Sequence, residues 1–111
     1  MASVGAVNIV IHKGTYFEET FSLTSEDGLG LNLTNSSAVA RLRKYPTAKD
    51  YYSFSTTLTI ADSTVKISMA STITSSLPSG RCYYDLLLNS SAGVLSKVVE
   101  GNALVQETVS V

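Results

Sequence analysis

The sequence predicts an all-β domain, a sandwich or barrel, with the two-layer antiparallel β-sandwich of seven to nine strands as the expected form. Two observations carry this. Short runs rich in Val, Ile, Tyr, Phe and Thr alternate apolar with polar residues along most of the chain. Turn signals built from Gly, Pro, Asn, Asp and Ser separate these runs about every ten residues. A third observation sets the exception: residues 70–77 lack alternation, and Ile73 and Leu77 lie four apart, the spacing of one helical face. One short helical turn crossing between sheets is expected there.

The clearest segment is Leu77-Pro78-Ser79-Gly80-Arg81-Cys82-Tyr83-Tyr84-Asp85-Leu86-Leu87-Leu88. Pro78 and Gly80 make a turn, because Pro fixes its own φ and Gly accepts angles other residues avoid. Beyond it Cys82, Tyr84, Leu86 and Leu88 share one face, while Arg81, Tyr83, Asp85 and Leu87 share the other. This is the expected central strand. Cys82 is the only cysteine, so no intrachain disulfide forms, and its place on the apolar face marks it as a buried thiol. Asp85 is expected to pair with Arg41 or Arg43, or to accept backbone hydrogen bonds.

In chain order, residues 1–6 read as a flexible terminus. Strand one spans 7–11, with Val7, Ile9 and Ile11 on one face. His12, the only histidine, ends it as a surface residue with no partners for metal or acid–base work. Strand two spans 16–24 and turns Phe17, Phe21 and Leu23 inward. Glu19 interrupts that face, so either the strand starts there or a bulge shifts it. Ser25-Glu26-Asp27-Gly28 is a turn. Leu29, Leu31 and Leu33 then line a short extended piece, and Glu26, Asp27 and Asn32, weighed as a calcium site, lack the spaced carboxylates of a binding loop.

Strand three covers 38–44 and points Ala38, Ala40 and Leu42 at the core. The connection 45–51 is irregular and flanked by Tyr45, Tyr51 and Tyr52, whose amphipathic rings suit an interface. Residues 52–60 (Phe54, Leu58 and Ile60 inward) and 64–69 (Val65, Ile67 and Met69 inward) form a hairpin. After the central strand, 94–100 is a further strand, Gly101-Asn102 a bulge or bend, and 103–109 the closing strand with Ala103, Val105 and Val109 inward and Glu107 in the same series.

The chain has 111 residues, 44% apolar and 15% charged, which fits one domain over 1–111 with a core of its own. With a formal net charge of −1, there is no basic field for nucleic acid. No apolar run reaches the length of a membrane span, and no secretory signal opens the chain. A hydrolase needs a nucleophile, a base and an orienting acid. With a single histidine and no Gly-x-Ser-x-Gly elbow, no such set can be placed. No catalytic, cofactor-binding or metal site is expected, no cofactor is called for, and no small-molecule ligand is indicated.

The order of these segments resembles a small β-sandwich domain of tailed bacteriophages, the N-terminal domain of phage baseplate upper proteins. The matching residues are the Ile/Val strand ending at Lys13-Gly14, Phe21-Ser22-Leu23, Asp27-Gly28, Leu31-Asn32-Leu33-Thr34 and Ala38-Val39-Ala40-Arg41-Leu42-Arg43-Lys44. They continue through the hairpin 54–69, the crossing turn at 74–77, Leu77-Pro78-Ser79-Gly80, Tyr84-Asp85-Leu86 and Val99-Glu100-Gly101. The resemblance covers almost the whole chain and rests on order and spacing. It implies an immunoglobulin-like fold and a structural, non-enzymatic role in tail, baseplate or neck assembly. It also implies a place in the virion, assembled in the host bacterial cytoplasm. The partners would be other phage structural proteins, with a homo-oligomer as a further form. Tyr45, Tyr51 and Tyr52 are the candidate partner-binding residues, beside edges supplied by residues 7–11 and the C-terminal strand. The alternative is a carbohydrate-binding module for host-surface recognition, with the same tyrosines as stacking platforms.

Overall fold

The computed structural model describes residues 5–23 and 33–110. Among these residues eight strands and one helical turn follow in order. They are β1 (Gly5–Ala6), β2 (Ile9–His12), β3 (Phe17–Ser22), β4 (Ser37–Arg43), β5 (Tyr52–Thr59), β6 (Thr64–Met69), α1 (Ser71–Thr74), β7 (Gly80–Asn89) and β8 (Leu95–Gln106). The all-β expectation holds. The strands form one mixed sheet, ordered β1-β8-β7-β4-β5-β6-β3 with β2 also on β8, that curls until it is nearly a barrel.

β7 is the centre of the larger half, paired antiparallel with β4 on one side and β8 on the other. Its alternation is as the sequence predicts, with Cys82, Tyr84, Leu86 and Leu88 buried. Gly80 starts it at φ +101°, a left-handed angle that a Cβ would strain. β5 makes the corner: Tyr52–Phe54 pair with β4, after which Ser55–Thr59 pair with β6. Where β5 leaves β4, the Thr56 hydroxyl donates to the Ala38 carbonyl at 3.1 Å and satisfies a group the ladder has released. The fold then brings β3, β5 and β7 face to face, with the Phe17–Phe54 ring centroids 5.8 Å apart, Phe54–Tyr84 6.4 Å and Phe21–Tyr84 6.5 Å. Ile11, Leu33, Leu42, Ile67, Leu77 and Leu86 complete the interior.

Several sequence expectations are corrected. The first strand pairs parallel to the last, Ile9 with Ala103 through His12 with Gln106, so the sheet is not wholly antiparallel. Residues 5–6 are not a frayed end: Gly5 and Ala6 sit against Val99 and Glu100. Val7 lies between the two short strands and is exposed, while its amide donates to the Glu100 carbonyl at 2.9 Å. The C-terminal strand is flanked on both sides and is not an edge; its outer neighbour is β2. At Glu19 neither a late start nor a bulge occurs, because β3 pairs with β6 in unbroken register from Phe17 to Ser22. Glu19 keeps its inward parity yet stays exposed at the open end of the sheet.

The helical turn is present, but Thr74 is its buried residue and Ile73 is exposed. The Thr74 hydroxyl accepts from the Gly14 amide at 3.1 Å and donates to the Thr15 carbonyl at 2.8 Å, tying α1 to the β2–β3 turn. Ile60 and Val109 face solvent because both lie beyond the last paired residues of their strands. The two expected C-terminal strands are one, β8, and its irregularity falls at Val98 rather than at Gly101-Asn102. The turn 25–28, Leu29, Leu31 and the weighed calcium ligands Glu26, Asp27 and Asn32 lie outside the described residues.

Candidate functional site

Strand alternation decides what the outer face of β4, β7 and β8 displays. Leu42, Leu86 and Ala103 point inward, so Arg41, Arg43, Tyr83, Asp85, Glu100 and Asn102 point outward. Register then places Arg41 beside Asp85 and Asp85 beside Glu100, with Arg43, Tyr83 and Asn102 in the next row. These side chains, with Pro46 and Lys97, line a recess of about 390 Å3 that is open to solvent.

The 44–51 connection folds over one side of this face. The Arg43 guanidinium donates to the Ala48 carbonyl at 2.6 Å and to that of Lys49 at 3.4 Å, which holds the loop against β4. The Tyr51 ring lies over both arginines, with the Arg41 and Arg43 guanidinium carbons 4.2 and 4.9 Å from its centroid. The expected Asp85–arginine pair is absent. Both guanidiniums are engaged with Tyr51, and Asp85 belongs to none of the ion pairs among the described residues. Lys97 instead reaches Glu100 at 3.4 Å.

The three candidate tyrosines do not form one strip. Tyr45 is 63% exposed at the loop. Tyr51 is also exposed, but its ring already carries the arginines. Tyr52 turns the other way, packs on the core and donates its hydroxyl to the Ser76 carbonyl at 3.4 Å. Tyr83, Asn102 and the Arg41–Asp85–Glu100 row were not singled out as a site. The signal for them is strand parity plus the place of β7 between β4 and β8, and the partner strands of β7 cannot be read from one sequence.

Just before the start of β7, the Ser79 hydroxyl donates a hydrogen bond to the Glu107 carboxylate, and Lys13 Nζ lies 3.5 Å from both. Lys44 Nζ also donates to the Ser79 carbonyl at 3.0 Å. The Ser79 hydroxyl, with Lys13 beside it, holds the Glu107 carboxyl below the usual range. These contacts link the segment after β8 to the turn after β2. Burial raises the Cys82 thiol above its ordinary value despite the Lys44 charge, and an un-ionised, enclosed thiol is a poor nucleophile. The Tyr84 hydroxyl donates to the Val7 carbonyl at 2.6 Å, and burial, with the Glu19 charge, pushes the phenol up to about 12.

No protein-family model matches this chain, and no curated protein matches it.

Proposed function

We propose that this chain is a non-enzymatic structural protein of a tailed-phage virion, working through protein–protein contacts in the tail, baseplate or neck. The observation that supports it best is the open end of the sheet. Among the described residues β3 has a strand partner on one side only, β6, and leaves a six-residue edge beside the exposed Tyr16. Unpaired backbone groups on such an edge recruit an extended segment of another chain. The exposed Tyr45 and the arginine-stacked Tyr51 add the residue types that dominate protein interfaces, on a second face.

The immunoglobulin-like sandwich belongs to the same proposal. Its support is the corner at β5, which divides the sheet into halves that face each other through Phe17, Phe54 and Tyr84. The tyrosine-platform version of sugar binding loses support, because Tyr52 is turned to the core.

The test is affinity capture from lysate of the phage that encodes the chain, with the captured proteins identified by mass spectrometry, together with gold-labelled antibody on purified virions. Tail, baseplate or neck proteins and a labelled tail are expected. Virions free of label, with no virion protein captured, would overturn the reading.

A further inference from the structure

The recess on the outer face of β4, β7 and β8 has no part in the edge contacts above. Its charges run across three neighbouring strands. Asp85 sits between Arg41 on one neighbouring strand and Glu100 on the other. Like charges directly opposite across strands cost stability. Lys97 offsets Glu100, but Arg41 lies on Tyr51 and leaves Asp85, half-buried, outside the ion pairs of the described residues. The walls thus present guanidinium donors, carboxylate and amide acceptors and one tyrosine, with Asp85 and Arg41 not consumed by each other.

We propose that this recess binds a sugar residue of a glycan, with Asp85 and Asn102 accepting from ring hydroxyls and Arg41 donating to them. Neighbouring hydroxyls of a sugar each donate and accept, which matches planar groups that offer two atoms at once. The volume, about 390 Å3, lies within the range of small-ligand sites. Other ligand classes fit less well. An apolar molecule would strip water from several charges without replacing it, and nucleic-acid phosphates would meet Asp85 and Glu100. An extended peptide needs free backbone groups, whereas β7 and β8 at this recess are paired on both sides. The site does not depend on the virion reading: a sugar-binding β domain of any origin would use it in the same way.

The experiment is a titration of the isotope-labelled full chain, followed by amide chemical shifts. The probes are glucose, galactose, rhamnose, N-acetylglucosamine and glucuronic acid, backed by a glycan array for longer ligands. Saturable shifts for at least one of these sugars or array glycans, confined to residues 41–43, 83–85 and 97–102, are expected. Asp85→Ala and Arg41→Ala should each weaken that binding about tenfold or more, while Ile60→Ser, on the far end of β5, leaves it unchanged. Asp85 and Arg41 are at the surface, and a thermal melt of each variant confirms that it is folded. Two results would overturn the proposal: no saturable binding to any sugar or array glycan, or binding that persists at full strength in both folded variants.

Discussion

β7 and β8 lie side by side over ten residue pairs, yet they are built differently. In β7 burial alternates strictly from Arg81 to Asn89. In β8 Val98 and Val99 are buried in succession, because one extra residue is accommodated opposite Leu86 and Leu87. That bulge restores the inward parity of Ala103 and Val105. The second difference is Gly101. A Cβ there would stand 2.0 Å from the Val7 carbonyl oxygen, since the link between β1 and β2 lies close against β8 at that point. Asn8 fastens this approach by accepting from the Asn102 amide at 3.1 Å. β7 is therefore held by side-chain packing, and β8 by packing together with a close backbone approach. The first kind of support is written in the residue pattern, and the second is not.

The largest expected effect tests the packed strand. Leu86 is fully buried, and Leu86→Ala should destabilise the domain by about 2–5 kcal/mol, from lost transfer energy plus the cavity left behind. Chemical denaturation measures this, and an unchanged midpoint would contradict the central place of β7. Next comes the close approach at Gly101. Gly101→Ala should cost about 1–3 kcal/mol through overpacking and should speed hydrogen exchange in β2 more than in β4. Equal protection of β2 in both proteins would show that the N-terminal segment does not need the missing Cβ.

Tyr84 joins the two regions, because it belongs to β7 and holds Val7 through its hydroxyl. Tyr84→Phe should cost about 1 kcal/mol. It should also change the alkaline behaviour. Above about pH 10 the unfolded chain loses the phenol proton that the folded chain keeps until about 12. The unfolded state then binds fewer protons, so stability falls as pH rises through that window and levels off beyond it. A pH series of denaturation midpoints should show this slope in the parent and lose it in Tyr84→Phe. The smallest effect is expected at Val109, fully exposed past the end of β8. Val109→Ser should shift stability by less than about 0.5 kcal/mol, and a larger loss would mean that the inward alternation of β8 continues to that residue.

Much of the interior was legible in advance. The inward sets Ala40–Leu42, Val65–Ile67–Met69 and Cys82–Tyr84–Leu86–Leu88 all follow from period-two alternation on strands with one covered face. The site was less so. Tyr45 and Tyr51 were visible as exposed aromatics, but the turning of Tyr52 to the core depends on where β5 first pairs with β4. Asp85 was placed correctly on the outer face, yet its expected arginine was claimed by Tyr51, a contact that exists only once the loop folds back.

By itself the sequence determined the strand class, the position of the single helical turn, the buried thiol and the face each side chain of β7 takes. These follow from local chemistry: backbone preferences at Pro and Gly, and alternation imposed by a pleated chain. Tertiary structure alone decided that β2 runs parallel to β8, that β5 turns the corner, that the extra residue falls at Val98, and that Arg41 and Asp85 face one recess without pairing. Each of those depends on which distant strand arrives alongside and in what register. Pairing energy is shared by backbone groups that every residue carries, so the residue pattern of one strand does not name its partner.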